Sequence, residues 1–111
     1  LMKAEAIARG ASATGGDTSL SLFNEIRSYV HAPEIDHAPT LDEIYEERGR
    51  EFFDENLRRM DMIRFGHFED EYCFHKKGFE NANFDKTHRI FPLHKKNQLD
   101  TNPNWDQNPG Y

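Results

Sequence analysis

Four residues near the middle of the chain, Thr40-Leu41-Asp42-Glu43, constrain its folding more than any others. A threonine three positions ahead of a glutamate, at the start of a periodic apolar run, forms a capping box. The hydroxyl accepts from the backbone amide of the third helical residue, and the glutamate side chain reaches back to the threonine amide. The sequence therefore predicts a helix beginning at Leu41. Projected at about 100° per residue, Leu41, Ile44, Tyr45 and Phe52 share one stripe, and Glu43, Glu46, Glu47, Arg50 and Asp54 face water. Arg48 falls inside the apolar stripe, where a guanidinium must be paired or strongly penalised. Glu51, Glu55 or a carboxylate on another helix are the available partners, and Arg48 reads as a structural clamp.

The flanking segments carry weaker helical signals. Asn56 tolerates the left-handed conformation and is expected to break the chain before a second short helix over residues 57–65, which Gly66 ends. That helix bears Arg58, Arg59 and Arg64 around Asp61, read as a paired network joining the two helices. Asp61 and Arg64 thus join Arg48 and Glu51 as clamp candidates.

Upstream, residues 1–9 are helix formers closed by Gly10, with Ala4 and Ala8 forming a small-residue ridge. Asp17 or Thr18 caps a further helix in which Leu20, Phe23, Ile26, Arg27 and Val30 keep a three-to-four spacing until Pro33 stops it. Residues 1–32 thus read as a helical hairpin, 40–66 as a helix pair, and 67–111 as a long loop followed by a tail with turns at Asn102-Pro103 and Asn108-Pro109.

The supply of core residues is thin. Leu, Ile, Val and Phe number 23 of 111, charged residues make up 31%, and the mean hydropathy is -0.92. Such a chain sits near the margin of independent stability. It opens on Leu1-Met2-Lys3-Ala4-Glu5-Ala6, which reads as the middle of a helix, so it is expected to be a piece of something larger. A net charge of -6 disfavours nucleic acid. No apolar run reaches the roughly 20 residues that span a bilayer, and the single Cys73 forms no internal disulfide.

The runs Glu47-Arg48-Gly49-Arg50-Glu51-Phe52-Phe53, Arg58-Arg59-Met60-Asp61-Met62-Ile63-Arg64-Phe65-Gly66, Ile90-Phe91-Pro92-Leu93 and Asn102-Pro103-Asn104-Trp105-Asp106-Gln107-Asn108-Pro109-Gly110-Tyr111, in that order, resemble the C-terminal part of the SusD/RagB family. Ala4-Glu5-Ala6 and Leu22-Phe23-Asn24-Glu25-Ile26-Arg27 resemble the family's helical repeat region, which leaves residues 67–89 outside the likeness. The resemblance implies a mainly α fold of tetratricopeptide-like hairpins with long irregular loops. It also implies a surface-exposed outer-membrane lipoprotein that binds glycans or peptides, takes no cofactor, does not catalyse, and delivers its ligand to a SusC-like TonB-dependent transporter. Its lipid anchor would lie N-terminal to this chain, so Cys73 is not that anchor. The family's ligand loops lie largely upstream. His94 departs from the family at a position usually held by proline, as does Tyr29-Val30-His31 from a more basic, alanine-rich helix end.

Sugar binding needs exposed rings beside polar groups, because the C–H face of a pyranose packs on an aromatic face while neighbours hydrogen-bond its hydroxyls. Half of the 14 aromatics lie between residues 65 and 91, interleaved with histidines and asparagines. Tyr72, Phe74 and His75 are candidate ligand contacts there, although anchoring a long loop is the more ordinary use of such rings. Trp105 is a further candidate, but it lies between two turns at a position the family commonly fills with leucine, which favours anchoring.

His67, Asp70, Cys73 and His75 offer mixed metal ligands but match no established zinc spacing. Carboxylates from Asp42 to Glu55 lie on a solvated helix face, and Cys73 with His75 lacks an orienting third group, so no catalytic centre is read. The leading expectation is glycan capture at the outer membrane, with an oligosaccharide or polysaccharide as ligand. The alternative is a helical-repeat adaptor that binds proteins and no carbohydrate. The full coding sequence discriminates them, since only the first requires a lipoprotein signal and hundreds of preceding residues.

Overall fold

The computed structural model describes residues 1–69 and 86–111, which divide into two compact units, Leu1–Asp61 and Met62–Tyr111. Helices dominate, and no strand occurs among the described residues. This is the mainly α architecture expected from the sequence.

The first unit contains α1 (Met2–Ala8), α2 (Ser19–Tyr29), α3 (Leu41–Glu51) and the start of α4 (Arg58–Phe65). Helix α1 packs on both α2 and α3, with Ala4, Phe23, Ile44 and Tyr45 buried. Ala4 gives α1 a smooth face, and the buried Ser19 hydroxyl donates to the Ala4 carbonyl at 2.9 Å, fixing the start of α2 against α1. Ala8, the other member of the expected ridge, is exposed.

Both α2 and α3 begin with reciprocal caps. At α3 the Glu43 amide donates to the Thr40 hydroxyl at 3.2 Å, and the Thr40 amide to the Glu43 carboxylate at 2.8 Å. At α2 the cap is Thr18, and Ser21 takes the place that glutamate holds in α3, with bonds of 3.0 and 2.9 Å. A serine oxygen two carbons closer to the backbone closes the same loop.

The ends are formed by left-handed residues. Gly10, at φ 100°, follows α1, and the Ala11 amide reaches back to the Ala6 carbonyl at 2.9 Å. After α2 the same position is held by His31 at φ 57°, with the Ala32 amide on the Arg27 carbonyl at 2.7 Å. These are Schellman closures, which normally favour glycine. The helix thus stops at Tyr29, ahead of Pro33. Asp54 and Asn56, at φ 64° and 59°, turn the chain from α3 toward α4.

In the second unit α4 ends at Gly66, φ 85°, with the His67 amide on the Met62 carbonyl at 2.9 Å. A 3-10 turn, Lys86–Arg89, and a π-type turn, Lys95–Leu99, interrupt the region read as loop and tail. His94 caps the π-type turn, its Nδ1 accepting from the Asn97 amide at 3.2 Å. The final residues bind the apolar segment 90–93 through side-chain contacts to its backbone. Gln107 accepts from the Leu93 amide at 2.8 Å and donates to its carbonyl at 2.9 Å. Asn108 donates to the Phe91 carbonyl at 2.6 Å, and the Tyr111 hydroxyl to that of Ile90 at 2.9 Å. Gly110, at φ 93°, lies where any Cβ would collide with Thr87.

Candidate functional site

Ion pairs organise the helical unit. Arg48, 5% exposed, donates from Nε to the Asp61 carboxylate at 2.8 Å, and Asp61 is 2% exposed. The guanidinium also lies 5.0 Å from the centre of the Phe52 ring. Its Nη1 is buried without a hydrogen-bond partner. The structure thus brings Arg48 and Asp61 together across the turn between α3 and α4. Glu51 lines a surface cleft instead, and Arg64 lies over the Phe65 ring at 5.4 Å.

The expected solvent face of α3 contains one exception. Glu47 is buried, with 2% exposure, because Arg27 of α2 and Arg50 one turn on both donate to its Oε2, at 2.7 and 2.6 Å. A helical projection places Glu47 outside; two arginines draw it in. Arg58 forms a third link, stacking 3.6 Å from the Tyr45 ring centre and donating to the Tyr45 carbonyl at 2.9 Å. Gly49 makes this possible. A Cβ there would stand 2.7 Å from Arg58 Nη1, so a mid-helix glycine opens the space for the guanidinium. The sequence reading missed that role, and the signal was present in a glycine inside an otherwise continuous helical pattern.

The loop ahead of α3 is held from two sides. The Asn24 side chain donates to the Ile35 carbonyl at 2.8 Å and accepts from its amide at 3.0 Å. His37 bridges Asp36 through Nδ1 at 3.1 Å and Glu43 through Nε2 at 2.9 Å. The Asp36 bond, then the Glu43 bond, raises the imidazole above its ordinary value. Asp36 is lowered chiefly by its bond to His37. Glu43 is lowered first by the Thr40 amide and then by His37. In the second unit Arg89 grips Glu69 with two nitrogens, Nη2 at 2.7 Å, which lowers the carboxyl and raises the guanidinium.

Of the candidate ligand contacts, Tyr72, Phe74 and His75 lie outside the described residues, as do Asp70 and Cys73 of the weighed metal set. Among the described residues no three His, Cys, Asp or Glu side chains converge as a metal site. Trp105 is 51% exposed, its amide closing a turn onto the Asn102 carbonyl at 3.1 Å. It is therefore half-exposed and does not fill a core. Tyr29, near the end of α2, is a second exposed ring, at 85%. It lines an open cleft of about 460 Å³ together with Glu25, Ile26, Ser28 and Glu51. No described helix is long and apolar enough to cross a membrane.

A helical unit of capped helices tied by buried arginine–carboxylate contacts, followed by a tail whose side chains hold an extended apolar segment, is the setting for the comparisons with known proteins. The SusD family model matches residues 1–111, and the chain belongs to that family. It is similar to the starch-binding protein SusD of Bacteroides thetaiotaomicron, with 32% identity over 115 residues that cover 100% of this chain and 20% of that protein. The chain therefore spans about a fifth of that relative's length. No solved structure matches it.

Proposed function

We propose that this chain is the C-terminal part of a non-catalytic glycan-binding protein that captures nutrient at the outer membrane and passes it to a SusC-like TonB-dependent transporter. The observation that carries this reading is the SusD family match along the whole chain, supported by a relative whose name is starch-binding protein. In this proposal the protein is a surface lipoprotein anchored through a segment outside these 111 residues. Its ligand is an oligosaccharide or polysaccharide. The helical unit serves as scaffold, with Arg48–Asp61 and Glu47 holding helices in register. Ligand contacts come chiefly from elsewhere in the protein, with Tyr72, Phe74, His75 and the half-exposed Trp105 as local contributors.

Titration calorimetry with a panel of host and plant oligosaccharides, run on the longest form that expresses and on the 111-residue chain, tests this. Saturable binding by the longer form, with the oligosaccharides recovered uncleaved, is the expected result. Binding by both forms that is lost on Tyr72→Ala or Phe74→Ala would move the site into residues 67–89. Silence from every glycan would remove the carbohydrate reading. Co-purification of a TonB-dependent barrel with the longer form is the corresponding expectation for the transporter.

A further inference from the structure

Helices α2 and α3 each start on a reciprocal cap, but α1 starts on Leu1 with no side-chain cap. Its first bond runs from the Glu5 amide to the Leu1 carbonyl, so the amides of Met2, Lys3 and Ala4 have no acceptor inside the helix. The neighbouring helix continues where α1 stops. Ser19 meets Ala4, whereas Glu25, further along α2, acts on the Leu1 ammonium, so α1 and α2 run in opposite directions. At about 1.5 Å per residue, α2 rises about 15 Å from Ser19 to Tyr29, and α1 only about 4.5 Å from Ala4 back to Leu1. About two turns of α2 therefore have no α1 beside them. Those turns and Glu51 of α3 form the cleft lined by Glu25, Ile26, Ser28 and Tyr29.

The chemistry at this end is incomplete. Burial first, and then Arg48, lowers the Leu1 ammonium, while Glu25, Glu51 and Glu5 raise it. Both carboxylates of the cleft thus face a cation that a peptide bond to a preceding residue removes. Arg48, 5% exposed, acts on the same group, and its buried Nη1 has no acceptor. A segment that belongs here brings a cation for the two glutamates, an oxygen for Arg48, carbonyls for three amides and an apolar side for Ile26 and Tyr29. A helix continuing α1 supplies all four, and it extends the faces on which α1 already packs against α2 and α3.

We propose that the cleft is the seat of the residues immediately ahead of Leu1, which continue α1 by about two turns and set a lysine or arginine against Glu25 and Glu51. The stripe of α1 that faces its neighbours, Leu1, Ala4 and Glu5, extends to the positions three, four and seven ahead of Leu1, which are apolar and meet Ile26 and Tyr29. This assignment rests on the reading of the chain as the C-terminal part of a longer protein and not on its ligand.

The coding sequence ahead of Leu1 is the first test. Roughly seven preceding residues free of proline, apolar at those three positions and carrying a lysine or arginine are expected. A proline inside that stretch or the lack of any basic residue would overturn the assignment alone; a gene with no preceding residues would remove the C-terminal reading with it. Hydrogen exchange on the longest expressible form is the second. The Met2, Lys3 and Ala4 amides are expected to exchange at least about a hundredfold more slowly than in an unstructured chain, at a rate independent of protein concentration. Glu25→Lys combined with Glu51→Lys is expected to speed them about fivefold, with the Ile44 and Tyr45 amides unchanged, and Glu25→Gln to move them less in the same direction. Exchange at the unstructured rate, protection that falls on dilution and so comes from a second copy, or protection indifferent to both charge variants would each overturn the assignment.

Discussion

Arg48–Asp61 in the first unit and Arg89–Glu69 in the second are both arginine–carboxylate pairs, but the first is 5% and 3% exposed at its side chains and the second 32% and 17%. The surrounding structure differs in the same sense. In the helical unit the backbone satisfies itself through helices and caps, leaving side-chain charges to hold one helix against another. In the tail the backbone of 90–93 has no ladder, and amide side chains supply its partners. The helical unit is therefore most sensitive at a few buried charges, where the loss of one partner is costly, and the tail relies on several neutral bonds of modest individual worth.

The largest expected effect follows from removing one member of the buried pair. Asp61→Leu leaves the Arg48 guanidinium uncompensated and is expected to destabilise the helical unit by about 3–5 kcal/mol, seen as loss of helical circular dichroism well below the melting temperature of the parent. Adding Arg48→Met removes the stranded charge and is expected to restore most of the melting temperature. If the double variant is no better than the single one, buried charge is not what distinguishes this unit.

In the tail, Gln107→Ala deletes two bonds to Leu93 at once, worth together about 1–3 kcal/mol. The comparison predicts a local consequence: faster hydrogen exchange at the Leu93 amide and earlier proteolysis of residues 102–111, with the α2 and α3 amides unchanged. Global loss of helix would show that the tail is not an independent set of neutral bonds.

A smaller effect tests the glycine in α3. Gly49→Ala gains about 1 kcal/mol of helix propensity but pushes the Arg58 guanidinium from its place on Tyr45, which offsets that gain. The single variant is expected to melt near the parent. In an Arg58→Ala background the same substitution meets no guanidinium and is expected to stabilise by about 1 kcal/mol. A double-mutant cycle by thermal melts reads the difference directly.

These tests also mark what the sequence could say. The Thr40–Glu43 cap, the left-handed conformation of Asn56 and the need of Arg48 for a partner follow from rules spanning a few residues, and each was legible, whereas α3 stops at Glu51, ahead of the break expected at Asn56. Which carboxylate Arg48 takes was not, since Glu51, Glu55 and more distant acids all qualified, and the choice depends on how Asp54 and Asn56 turn the chain. Burial of Glu47 was hidden for a related reason: its decisive partner, Arg27, lies 20 residues away on another helix. The tail gave no periodic signal because amide-to-backbone bonds need no repeat. Its Gln107 and Asn108 look, in sequence, like any polar turn. The cleft at Tyr29 was illegible for the same reason as Glu47, since Glu51 joins Glu25 only through tertiary packing.

The smallest effect concerns the bridge outside the core, where solvent weakens each contact. Folding raises the His37 imidazole above its ordinary 6.5, so its contribution is present in full below that value and is lost as pH rises through the raised one. Folding lowers Asp36 and Glu43 below 3.8 and 4.5, so theirs is present above those values and is lost as pH falls through the lowered ones. The bridge is therefore complete between 4.5 and 6.5 and weakens on both sides. The imidazole resonances of His37 are expected to titrate at higher pH than those of an unfolded peptide, and Glu43→Gln is expected to return them part of the way while Asp36→Asn returns them further. Glutamine at 43 still offers an oxygen to the Thr40 amide and keeps the cap. Glu43→Ala removes bridge and cap together and is expected to loosen the Thr40 amide as well, so hydrogen exchange there separates the lost bridge from the lost cap.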